Sequence, residues 1–427
     1  MNIISIILAN GIPISNPYVL LSGACLALIL TYFFKRLPKR AYLPFVIILI
    51  FAGILLRLGL EQTNIDLTDK MPFMDVVCVI ALVIIVLEGS MGLYLDKEKY
   101  PMIGRSLLSS LLGLIAITIA ISSILYFQLG VSYGISLLFS IPIAVMSSSS
   151  VIPSVTRLAG SKREFMIYES SITDIIGIIS FYFVITYLET GGMFTTFRFF
   201  ISLILTILVA LVATAILINL FKKLNSQTKL LLLVSNLVLL YSLANLFNLS
   251  LLIIVMVFSA VFGLALANQD KFKKLFKRFE IGTEKTESSE KEFHLITLES
   301  TYLVKIFFFV VFGMTIDLGN LLNMEVLLIS LLITGCIFII RALILHYFTR
   351  PHLIPELYLA PRGLVTILLF LQIPNKYITS DMKPAVLFFV ILFTNLIMTF
   401  YLSKDRMNRS LPNEDKVRRQ KTTGQLA

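Results

Sequence analysis

Apolar positions fall in long, almost uncharged runs separated by short polar punctuation, a pattern that predicts membrane-crossing helices. Stretches of about 17–25 apolar residues occur near 17–34, 42–60, 73–94, 104–127, 132–156, 164–188 and 195–221. Six more follow near 229–247, 250–267, 297–317, 323–348, 354–374 and 382–403, making thirteen expected spans. The first twelve residues are too short to span and lack the basic start of a signal peptide, so they are expected to form an outer cap. The connections are short except for the loop 268–296, and the polar tail 404–427 is expected to be disordered. The fold class this implies is an all-α polytopic membrane protein.

Composition narrows the class further. Of 427 residues, 57% are hydrophobic and 14% charged, against about 45–50% and about 25% in soluble domains. A single soluble domain is thereby excluded. The formal net charge of +11 could signal nucleic acid only if it formed a soluble basic patch, and its placement says otherwise. With the N-terminus outside, 28 of the 36 Lys and Arg fall in cytoplasmic loops and the tail, and five fall outside. That asymmetry predicts an outside N-terminus and a cytoplasmic C-terminus in the cell (inner) membrane, with no nucleic-acid partner. In the segment 271–279, Phe272, Leu275, Phe276 and Phe279 recur at helical spacing among cations. This is the pattern of a helix lying on anionic lipid. Cys25, Cys78 and Cys336 all lie in apolar runs without paired spacing, and no metal centre or cofactor is expected from them.

Only a few charges remain inside spans: Lys305, Arg341 and Arg362, with Glu88, Glu169 and Asp174. A mid-bilayer charge costs at least about 2.5–3.5 kcal/mol, so such residues usually face a cavity or a partner. At about 1.5 Å per helical residue, Asp174 lies about 15 Å into its span and Glu169 about 7 Å. Arg341 lies about 10 Å from the same surface, which makes Glu169 and Arg341 candidate partners in a structural ion pair. Ser170, Asp174 and Gly177 share one helix face, whereas Glu169 and Asp174 point about 140° apart. One acid can therefore line a pathway while the other is tied down. Lys305 comes closest to Asp174 in depth, and Glu88 sits near the inner end of its span.

Two spans carry unusual punctuation. One holds Met146 followed by Ser147, Ser148, Ser149 and Ser150, then Pro153; the other holds Pro361-Arg362-Gly363. Interrupted helices in corresponding positions of two halves point to a transporter's binding site. Spans four to six and eleven to thirteen correspond with opposite starting sides, so an inverted repeat is expected. A mid-depth acid beside unwound backbone and Ser hydroxyls makes a hard-oxygen site for a small cation. The same carboxylate binds a proton or the cation in turn, and that competition couples the two fluxes. The candidate cation- and proton-binding residues are Asp174, Thr173, Ser170, Ser148 and Ser149, with Asp174 the ligand of sodium or potassium.

At these residues the chain resembles the monovalent cation–proton antiporter superfamily, which includes bacterial sodium–proton antiporters and a potassium-efflux branch. Glu169-Ser170 through Thr173-Asp174 resembles its sixth-helix motif, and Leu87-Glu88-Gly89 with Leu95-Asp96 its third-helix element. Phe308 through Leu318 is similar to a stretch of the potassium-efflux members, Arg341 to the basic residue of the eleventh helix, and Arg362-Gly363 to the twelfth-helix break. The resemblance implies a thirteen-helix antiporter domain over 1–403, with a six-helix core near 104–188 and 323–403. The remaining helices would form a scaffold that dimerises, so a homodimer is expected. It implies elevator-type transport by Asp174, a stabilising Glu169–Arg341 pair, and no enzymatic activity. The chain departs from the pattern at Thr173, where an Asn or Asp is usual. It departs again at Ser147–Ser150, which replace a Thr-Asp-Pro, and at Lys305. No nucleotide-binding domain is expected after the last span.

Two other readings stand beside proton antiport, and a single carboxylate favours one-for-one, electroneutral exchange within it. A sodium-coupled symporter of an organic anion would need an anion cavity, for which Arg362 is the candidate. A non-transporting membrane sensor or scaffold is the reading from another class. A membrane hydrolase is disfavoured because His294, His346 and His352 lack partners at catalytic spacing.

Overall fold

The computed structural model describes residues 45–61, 99–155, 160–191, 195–221, 323–348, 356–378 and 384–423. Isolated positions at 158, 235–261, 305–316 and 354 are also described. All regular structure among them is helical. In chain order α1 is Phe45–Glu61, α2 Tyr100–Leu129, α3 Tyr133–Ala144, α4 Ser148–Ser154 and α5 Gly160–Thr190. Then come α6 Thr195–Phe221, α7 Met324–Phe348, α8 Leu364–Leu371 and α9 Pro384–Thr423. Among the described residues six stretches are long and apolar enough to cross a membrane, the α3–α4 stretch Tyr133–Ser154 counting as one. The expected spans near 17–34 and 73–94, the cap 1–12, Glu88 and the lipid-facing segment 271–279 lie outside the described residues.

Local chemistry sets the helix ends. A proline opens the first turn of α2, where the missing N–H costs nothing. Gly130 closes the helix with φ 63°, a left-handed cap whose N–H reaches the Tyr126 carbonyl. Gly191, at φ 53°, ends α5 in the same way. α5 has 31 residues, or about 46 Å of helix, longer than the roughly 30 Å of hydrocarbon it would cross.

α2 packs against α3, α5 and α7; α7 packs against α9, and α8 against α3 and α5. The two groups of elements, α2 to α5 and α7 to α9, thus interlock around α2, α3 and α5. The apolar core divides where they meet. One cluster gathers Leu138, Val145, Ile178, Phe181, Ile367 and Val390 toward the C-terminal half of α5. A smaller one gathers Met146, Val151, Phe165, Met166, Leu345, Leu359 and Met398 toward its N-terminal half. Polar side chains occupy the level between them.

Both expected interruptions are present, at bounds the structure defines, and one expectation needs correction. The run 354–374 is helical only from Leu364; residues 356–363 are turns and extended chain. Prolines at 355 and 361 and the glycine at 363 deny that stretch regular helical hydrogen bonding. In the other interrupted span, the break falls at 145–147, where the serine run begins, and Pro153 lies inside α4. The tail, expected to be disordered, continues α9 as helix to Thr423. It extends a helix already nucleated in the apolar stretch and is rich in Lys and Arg, which favour propagation.

Candidate ion-binding site

The two interruptions meet. Val145 has φ −66° and ψ 129°, and Ser147 is extended too, so the chain leaves helical geometry between α3 and α4. The Ser147 N–H, freed from the helix, donates to the Pro361 carbonyl at 3.1 Å. A side chain at Gly363 would place its Cβ 2.9 Å from Ser147 Oγ and 3.2 Å from Ser150 Oγ. The crossing therefore needs glycine at 363 for closeness of approach. α9 holds the second strand of the crossing from behind. The Arg362 N–H donates to Thr394 Oγ1 at 3.1 Å, and Asn395 Nδ2 donates to the Arg362 carbonyl at 2.6 Å. Irregular backbone at membrane depth thus has its polar groups satisfied by protein.

Asp174 faces this crossing from the middle of α5 and is 9% exposed. Its Oδ2 accepts the Ser148 N–H at 3.2 Å, the first turn of α4. Its Oδ1 is buried without any hydrogen-bond partner. One turn along α5, Gly177 lets the break pack close: a Cβ there would lie 2.2 Å from Val145 Cγ2. Sequence spacing put Asp174 and Gly177 on one face, and that face is the one against the crossing. The carboxylate thus has one oxygen anchored and one open to a proton or a cation.

Two of the other expected ligands, Thr173 and Ser170, turn their hydroxyl hydrogens onto their own helix. Thr173 Oγ1 donates to the Glu169 carbonyl at 2.7 Å, and Ser170 Oγ to the Ile167 carbonyl at 3.2 Å. Ser148 is buried, and Ser149 Oγ lies 3.0 Å from Ser147 Oγ. Each hydroxyl keeps acceptor lone pairs.

Glu169 lies in a different network. Its Oε2 is 3.0 Å from Arg341 Nη2, and its Oε1 accepts Ser109 Oγ at 2.7 Å. Arg341 also donates from Nε and Nη2 to the Glu356 carbonyl at 3.0 and 2.8 Å. The Glu356 side chain, 3% exposed, meets Lys162 Nζ at 3.3 Å. The pair therefore ties α2, α5, α7 and the 356–360 segment together. Lys305 is half-buried at a helical position, and Asp174 forms no ion pair among the described residues. Arg362 is 2% exposed, with its Nε unpartnered.

Sequence reasoning missed Ser109, Glu356, Thr394 and Asn395. A signal existed for some. Ser106, Ser109 and Ser110 fall at i, i+3 and i+4 in an apolar helix, and Thr394-Asn395 is an adjacent polar pair inside Phe388–Met398. Glu356 had none, because its place beside Lys162 depends on the path of the chain between α7 and α8.

Residues 24–404 match the family described as sodium/hydrogen exchanger, transmembrane. Two structures of the sodium proton antiporter MjNhaP1 from Methanocaldococcus jannaschii are similar in fold. One, determined at pH 8, has a TM-score of 0.67 at 20% identity, covering 90% of this chain and 95% of that one. The other, an electron-microscopy structure, has a TM-score of 0.66 at 19% identity, covering 93% and 99%. No curated protein matches the chain.

Proposed function

Because the chain belongs to the sodium/hydrogen exchanger family of membrane transporters, we propose that it exchanges sodium or potassium for protons, with Asp174 binding the two in turn. The observation that carries the reading is the half-satisfied carboxylate. A buried acid with one anchored oxygen and one open oxygen, among serine and threonine hydroxyls at a break, suits a small hard cation or a proton. Glu169, by contrast, has both oxygens engaged and is assigned to holding the core together. One exchanging carboxylate trades one monovalent cation for one proton, so the exchange is electroneutral.

Alternating access is assigned to an elevator-type displacement of the interlocked elements α2 to α5 and α7 to α9. The homodimer, the cytoplasmic C-terminus and the inner membrane belong to the same reading; the orientation rests on the distribution of Lys and Arg. The test is flux in proteoliposomes. Sodium, potassium or lithium added outside vesicles containing a pH dye is expected to produce dequenching. Asp174→Asn, folded by melting temperature, is expected to abolish the response. Silence of the unaltered protein to every cation would remove antiport, and normal transport by Asp174→Asn would remove the site.

A further inference from the structure

We propose that the buried guanidinium of Arg362 binds a small inorganic monovalent anion of the chloride class, which serves as the counter-ion of the transport core. The proposal rests on Asp174 being the exchange site. The observation behind it is an orphaned charge. Arg362 is 2% exposed, its main chain is engaged by Thr394 and Asn395, and its Nε has no acceptor. Among the described residues it forms no ion pair. A guanidinium taken out of water without a counter-charge is among the least tolerable arrangements in a protein interior.

Among the described buried acids, Glu169 lies near enough to act on Arg362, but it is shared with Arg341 and cannot cancel both charges. Glu169 is committed to Arg341 and Ser109, and Glu356 to Lys162. These two pairs are neutral, which leaves Asp174 and Arg362 as the remaining buried ions among the described residues. Suppose Arg362 were balanced by Asp174 alone. The core would be neutral when Asp174 is empty and carry +1 when Asp174 holds a cation or a proton. The empty core would then cross the membrane more easily than the loaded one, which is a leak and the reverse of exchange. A bound monovalent anion inverts the order. The loaded core becomes neutral, and the empty core carries −1 and is held back. Water could satisfy the N–H groups but would leave the charge uncancelled.

The neighbourhood favours an anion on other grounds. α8 begins at Leu364, two residues beyond Arg362, and the N-terminus of this eight-residue helix is a further source of positive potential. The equivalent end of α4 already faces an anion, Asp174. The serine run puts no acid at the crossing to take that place for α8.

The experiment uses the full chain. Exchange is measured in proteoliposomes with the voltage clamped and with chloride on both sides replaced by gluconate, a much larger anion. The rate is expected to fall at least about fivefold, within the range of typical coupling between two ligands, and to return with bromide or nitrate. In detergent, chloride is expected to raise the melting temperature saturably relative to gluconate at equal ionic strength. Arg362→Gln should lose that rise, and Arg362→Lys, which keeps the charge, should retain part of it. If Arg362→Gln does not fold, bromide density beside the guanidinium in the unaltered protein replaces it as the test. Equal rates and equal melting in chloride and gluconate, or an anion effect that survives in Arg362→Gln, would overturn the proposal. If the unaltered protein exchanges nothing in any anion while the Arg362-dependent melting shift persists, the anion site stands and the exchange reading falls.

Discussion

Glu169 and Asp174 lie five residues apart on one helix and differ in what remains unsatisfied on each. Glu169 receives Ser109 on one oxygen and Arg341 on the other; Asp174 is held by Ser148, and its Oδ1 has no partner. Removing a partner from a buried pair strands the other charge, so Glu169→Ala and Arg341→Ala should each destabilise by about 3–5 kcal/mol. The double variant should lose less than the sum, because the second change removes a charge already orphaned. Thermal or denaturant unfolding of all three checks this, and full additivity would deny the pairing. The pair Glu189–Lys376 is the control. It also spans 3.0 Å, but both side chains are about half exposed. The Glu189 hydrogen bond holds the Lys376 ammonium above its usual range. A raised lysine keeps its contact through neutral pH and loses it only as the pH climbs past its own pKa, so Glu189→Gln should leave neutral-pH melting unchanged.

At the scale of elements, the two interruptions were legible as clusters of Ser, Pro and Gly, but their use was not. Within the stretch Met146–Pro153, the proline sits inside α4, and the chain departs from helix at 145–147. The reason is a partner supplied from elsewhere: the Pro361 carbonyl takes the Ser147 N–H. Glycines make the approach possible. Gly177→Ala would drive a methyl against Val145, and overpacking of this kind costs about 1–3 kcal/mol. We expect that variant to melt lower and to exchange more slowly, since Val145 begins the break that feeds Ser148 toward Asp174. Val145→Ala in the same chain should restore melting by giving the methyl room. Failure of that rescue would mean that Gly177 serves the break through something other than space. Gly53 and Gly313 meet more severely: a Cβ on Gly53 would lie 2.1 Å from the Val310 carbonyl oxygen, and backbone cannot swing aside as a side chain can.

For the whole molecule, the testable quantity is charge moved per cycle. Asp174 is the one buried carboxylate among the described residues with no cation within ion-pair distance. Exchange should therefore proceed at the same rate whatever voltage is clamped across the vesicle. A rate that changes with voltage would show a second charge moving and contradict one-for-one exchange. Much of this architecture could be read from the chain itself. Runs of apolar residues identify membrane helices because hydrocarbon tolerates little else. The rare charges within those runs, Glu169, Asp174, Arg341 and Arg362, stood out for the same reason, and helix geometry separated the two acids by angle and depth. What sequence could not supply was pairing across the fold. Ser109 on Glu169, Glu356 beneath Arg341, and Thr394 and Asn395 behind Arg362 all join residues far apart in the chain. Periodicity reports which face of a helix is polar, but only packing decides what that face meets. Whether a buried charge is matched or left open is therefore a property of the tertiary structure alone, and at Asp174 and Arg362 that difference carries the functional reading.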